Sequence, residues 1–162
     1  MTEVEKTLEQ ERRISIRLLL QYNKFVKFDV VKSSYELSQL KNVKPHLNYQ
    51  LNPSYRDLGS DVYEMMLALK LESITAEAKE EKDKDKIFEL EVAYCGIFKL
   101  EGAWDVGVIE EMFLVDCATL LFPFVRQEVA NITVGSGYAP ILLEPMNLRE
   151  LYTQYKNSRT IN

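Results

Sequence analysis

Residues 88–101 read FELEVAYCGIFKLE, and this stretch decides the fold. Phe88, Leu90, Val92, Tyr94, Phe98 and Leu100 fall on one side, with Gly96 as the gap, while Glu89, Glu91, Lys99 and Glu101 fall on the other. A period of two predicts a strand with one face on a core and one in water. At this length it far exceeds the roughly five or six residues of an average strand. A long, one-sided sheet is a surface to bind on, which points to a protein that holds other chains.

The same pattern recurs upstream. Ile14, Ile16, Leu18, Leu20 and Tyr22, then Val26, Phe28 and Val30, predict a first long strand with a bulge near Leu19–Leu20. Residues 32–46 lack periodicity, contain Pro45 and read as a long connection. Leu47, Tyr49 and Leu51 predict a short second strand ended by the turn chemistry of Asn52-Pro53. A third strand spans Val62 to Ile74, with Tyr63, Met65, Leu67, Leu69 and Leu71 inward and Glu64, Lys70 and Glu72 outward. Residues 75–86, a mixture of Glu, Asp and Lys, read as a solvated hairpin loop.

Beyond Gly102 the period becomes helical. Met112, Phe113, Val115, Ala118, Leu121 and Phe122 form a stripe that continues through Phe124, Val125, Val129 and Ile132. Pro123 inside it predicts a kink or split, because proline removes a donor and crowds the preceding turn. Gly135-Ser136-Gly137 ends the helix. Asn147 as N-cap with Glu150 three residues on opens a last helix bearing Leu148, Leu151, Tyr152 and Tyr155 on one stripe. Strands followed by helices predict an α+β fold, an antiparallel sheet with both helices on one face. The other face, with Glu64, Glu72, Glu89, Glu91 and Glu101, is left to solvent or a partner.

Composition narrows the function. The 162 residues suit one domain with a core of its own, and 46% of them are hydrophobic. A net charge of −5 argues against nucleic acid. No apolar run is long enough to span a membrane, and residues 1–13 lack a signal-peptide core, so a cytoplasmic protein is expected. Cys95 and Cys117 read as free buried thiols. His46 is the only histidine, placed in the connection as an exposed loop residue, so neither a catalytic pairing nor a zinc site is expected. No catalytic residue, metal or cofactor is assigned, and the expectation is a non-enzyme.

Four motifs in order resemble the SecB protein-export chaperone family. Asp61-Val62-Tyr63-Glu64 is similar to its DVYE run, and Glu91-Val92 with Gly96-Ile97-Phe98 resembles its EVxxxGIF strand. Residues 121–126, LFPFVR, resemble its LFPYAR helix, and Pro145-Met146-Asn147-Leu148 with Tyr155 resembles its PVNF…Y terminal helix.

The resemblance implies a four-stranded Greek-key sheet with two helices on one face, assembled as a dimer of dimers, a homotetramer. It also implies an ATP-independent holdase that binds unfolded preproteins in apolar grooves and delivers them to the SecA motor. Carried onto this chain, it assigns client binding to Val43, Leu47, Tyr49, Leu148, Leu151, Tyr152 and Tyr155. It assigns SecA docking to Asp29 and Glu91, and influence on oligomer formation to Leu90, Val92 and Tyr94. Residues 1–12 read as a charged arm, 13–156 as the chaperone domain and 157–162 as a short tail, the stretch from Lys156 to Asn162 carrying Lys and Arg rather than acid.

Departures weaken the SecA part. An acidic position of the family aligns with Phe25, an exposed apolar one with Glu89, and the connection's tryptophan with Val43, while Trp104 lies elsewhere. Two alternatives stay open: a SecB-like chaperone dedicated to one client such as an antitoxin, and a small-molecule binding module.

Overall fold

A computed structural model describes residues 2–4, 15–41, 43–75 and 85–160. Four antiparallel strands, β1 (Ser15–Val30), β2 (His46–Gly59), β3 (Val62–Ile74) and β4 (Lys86–Glu101), form one sheet in the order β1-β4-β3-β2. The first strand lies beside the last, as in a Greek key. β1 pairs with β4 through two register shifts, between Leu18 and Leu20 and between Asn23 and Phe25. The first is the expected bulge; the second leaves Lys24 out of register.

Strand β2 is longer than its periodicity suggests. It runs on through Asn52 and Pro53, which pair with Ala68 and Leu67. Because β2 is an edge strand, a residue without an N–H is tolerated on its unpaired side, so Pro53 does not end it. His46 is another correction: it opens β2 opposite Ile74 and is half-buried, not an exposed loop residue.

The connection before β2 holds a short helix, α1 (Ser34–Ser38). Ser33 caps it, with its hydroxyl accepting from the Glu36 amide and the Glu36 carboxylate accepting from the Ser33 amide. Ser33 and Glu36 thus form a Ser-x-x-Glu capping box.

The long helical stripe is one continuous rod of three parts: α2 (Val106–Glu111), a π-helical turn (Met112–Cys117) and α3 (Ala118–Gly135). Pro123 sits inside α3 without splitting it, and the irregularity falls upstream in the π turn. Ala118, Leu121, Val125 and Val129 of α3 are fully buried on the inner face of β3 and β4. Gly96 makes that approach possible, since a Cβ there would lie 2.7 Å from Phe98 and 3.1 Å from Leu121. The π turn drives Phe113 into an aromatic group, with ring centroids 5.0 Å from Tyr55, 4.9 Å from Tyr63 and 6.1 Å from Phe98.

The last helix, α4 (Leu148–Thr160), has the expected cap, the Glu150 amide donating to Asn147 Oδ1 at 3.3 Å. It packs on the π turn and continues through residues 157–160. The rest of the tail, residues 161–162, lies outside the described residues, as do most of the 1–12 arm, Ile14 and residues 76–84 of the charged loop.

Candidate functional site

Apolar side chains line two concavities on the helix side of the sheet, both against edge strand β2. The first, about 390 Å³, lies between β2 and α4 and is lined by Leu51, Pro53, Leu114, Leu151, Tyr152 and Tyr155. The second, about 500 Å³, is bounded by α1, β2 and the chain after α3, with Leu37, Leu47, Phe88, Tyr138, Pro140 and Ile141 on its walls. Tyr49 stands between them on β2: its cross-strand partner Leu71 is a core residue, so its ring faces the same side as Leu47 and Leu51.

The expected client-binding residues divide by exposure. Leu47, Tyr49 and Tyr155 leave 42%, 44% and 44% of their surface open, a high value for large apolar side chains. Leu151 is half-buried on the first wall. Leu148 and Tyr152 are largely buried and form the floor of the first concavity; the Tyr152 hydroxyl donates to Glu110 at 3.2 Å. Val43 is half-buried and lines neither concavity. Pro53, Leu114 and the residues after α3 went unassigned from sequence, because nothing local in the chain reports that β2, the π turn and the 138–141 segment converge.

Leu90, Val92 and Tyr94 lie beneath α3 in the core, where the Tyr94 ring stacks on Phe124 at 5.8 Å. Any influence they have on assembly must pass through the helix above them. Asp29 is exposed and Glu91 half-buried on the outer face, and each has a cation nearby. Lys27 Nζ lies 3.0 Å from Asp29 and Lys70 Nζ 3.8 Å from Glu91, while Lys86 pairs with the neighbouring Glu89. That end of the face is charge-balanced rather than acidic.

Glu64 is the correction on the outer face. It is only 4% exposed, not solvated. Tyr22 donates to its Oε2, while Lys24 Nζ and Arg56 Nε reach its Oε1 at 2.9 and 2.8 Å. Burial alone disfavours the carboxylate, and the three donors outweigh it, taking the carboxyl pKa down to about 2. The hydrogen bond to Glu64, followed by burial, pushes the Tyr22 phenol up. Period-two reasoning assigns Glu64 to the outer face correctly but cannot see long side chains from β1 and β2 closing over it.

Cys95 and Cys117 are free and buried, and burial pushes the Cys117 thiol up to about 12. Among the described residues no group of three or more His, Cys, Asp or Glu side chains is placed to hold a metal ion. None of the helices formed by them is long and apolar enough to cross a membrane.

Residues 9–159 match the family model described as preprotein translocase subunit SecB. The chain is 29% identical over 152 residues to the protein-export protein SecB of Paramagnetospirillum magneticum, covering 94% of this chain and 91% of that protein. It is 32% identical to the protein of that name from Afipia carboxidovorans, covering 85% and 80%, and 34% identical to that from Ruegeria pomeroyi, covering 89% and 83%. Among solved structures, the fold is similar to a Mycobacterium tuberculosis SecB-like chaperone in complex with a ChAD peptide from the HigA1 antitoxin. The TM-score is 0.64 at 10% identity, over 81% of this chain and 90% of that one.

Proposed function

This chain belongs to the SecB family, and we propose that it is an ATP-independent cytoplasmic holdase that captures unfolded preproteins in the two troughs along β2. One observation carries the reading. Two apolar concavities open on the same side of one edge strand, and the large side chains between and beside them, Leu47, Tyr49 and Tyr155, are more than two-fifths exposed. Exposed apolar surface gathered at a concavity marks a binding site.

The energetics suit a client read by greasiness rather than sequence. Fully burying one Leu- or Phe-sized side chain gains roughly 1.5–3 kcal/mol. Two anchors in two troughs, less the cost of ordering the client, leave weak and tolerant binding. Several copies of the site in one assembly raise the effective concentration for a long chain. Self-association is supported by β1, an edge strand on which Leu19, Leu20, Phe25, Val26 and Val30 are all substantially exposed.

Delivery to SecA through Asp29 and Glu91 is the finer part of the proposal. The lysines beside both carboxylates favour a second reading, a chaperone dedicated to one client such as an antitoxin. The deciding experiment is aggregation of a denatured model protein with a several-fold molar excess of this chain, followed by binding to purified SecA. Suppression is expected, with Leu47→Ser plus Tyr49→Ser reducing it several-fold while leaving the unfolding midpoint in place. No suppression defeats the holdase reading. Suppression without SecA binding selects the dedicated chaperone.

A further inference from the structure

Helix α4 forms one wall of the first trough, yet little of it is embedded. Of its residues only Leu148 and Tyr152 are buried. The chain leading into it is pinned at Leu143, whose carbonyl accepts from Arg126 Nε at 2.5 Å, and Met146 packs on the core just before the helix begins. Past that point α4 is held by Leu148, Leu151 and Tyr152 packing inward and, along its exposed flank, by charge. Arg149 reaches Glu111 at 2.5 Å and Asp116 at 3.6 Å, Arg159 reaches Glu110 at 3.8 Å, and Glu110 also accepts from Tyr152. The three acids come from α2 and the π turn, so the attachments converge on one rod from two turns of α4.

From this geometry we infer that Arg149 is a positioning residue, a latch that fixes the exposed flank of α4 against α2 and thereby sets the opening of the client trough. The inference rests on the holdase reading for its consequence, not for its structural content. Every ion pair in the latch is more than a third exposed, so each is weak alone and screened by salt. A wall fastened this way stays in place at rest and yields when a bulky client segment enters. The cations on α4 keep a second role at the trough: Arg159 lies 4.9 Å over the Tyr155 ring and Lys156 5.4 Å over the Tyr152 ring, so freeing the helix also displaces its aromatic edge.

The test uses the full chain and two readouts. The first is hydrogen exchange of the amides in residues 150–158. The second is the affinity for fluorescein-labelled, reduced and carboxymethylated α-lactalbumin, a permanently unfolded probe. Arg149→Glu places like charges beside Glu111 and Asp116, and faster exchange across α4 is expected with about three- to tenfold weaker probe binding. Combining it with Glu111→Arg restores both, which a merely disruptive substitution cannot do. If Arg149→Glu fails to fold, Arg149→Gln and Glu111→Gln carry the same comparison. Unchanged exchange in α4 overturns the latch, as does faster exchange with unchanged affinity. If the unaltered chain does not bind the probe, the holdase reading falls and the exchange data alone decide whether Arg149 holds the helix.

Discussion

The two faces of the sheet are closed by different physics. The inner face is sealed by α3 and the π turn with apolar contacts: Phe98, Phe113, Leu121, Val125 and Val129 are all essentially inaccessible. Among the described residues no helix covers the centre of the outer face, yet Glu64 there is as hidden as many core residues, closed over by Tyr22, Lys24 and Arg56 from the flanking strands. Toward the Asp29 end the same face is open, and its charges meet as exposed pairs. Dispersion and water release hold one side, a satisfied polar network the middle of the other, and the rim contributes little.

Four substitutions test that ranking. Phe113→Ala empties the centre of the aromatic group and is expected to cost about 3–5 kcal/mol in urea unfolding. Glu64→Gln keeps the shape but loses the charge its three donors require, at about 1–3 kcal/mol, discounted because Lys24 and Arg56 are partly solvated. Its signature is in pH. A carboxyl with a lowered folded pKa stabilises fully above its unfolded value, near 4.5, and that contribution disappears as pH falls toward about 2. The unaltered chain therefore loses stability over that window, and the Glu64→Gln profile is flatter there. If Glu64→Gln costs more than Phe113→Ala, the order of the two faces is reversed.

Gly96→Ala probes the inner face from the opposite direction, by adding a methyl where Phe98 and Leu121 leave no room. A loss of about 1–2 kcal/mol is expected from overpacking; no change in the unfolding midpoint shows that α3 can shift to accommodate it. Asp29→Asn removes one exposed pair at the rim and should move stability by less than about 0.5 kcal/mol. A larger effect by thermal unfolding means the rim is coupled to the Glu64 network.

Much of the fold was legible. Alternation located β3 at its full extent, because one buried face imposes a period of two regardless of what covers it, and β1 with its first bulge, which turns Leu20 and Tyr22 to the outer face. It failed at Pro53, where edge position overrides turn chemistry, and at α1, where a capping box was present but no apolar stripe accompanied it. At the candidate site the terminal-helix stripe and Leu47 and Tyr49 were read from resemblance. The division into exposed and supporting residues was not, since Leu148 and Tyr155 look alike in sequence and differ only in what lies above them.

The sequence by itself determined which side of β2, β3 and β4 is greasy, where the last helix begins and the family to which the chain is similar, all properties of neighbours along the backbone. Only the tertiary structure decided that the outward Glu64 is buried, that Asp29 and Glu91 meet lysines, and that α4 rests on an acidic shelf. These depend on side chains distant in the chain arriving within a few ångströms, and electrostatic energy follows that separation, not the order of residues.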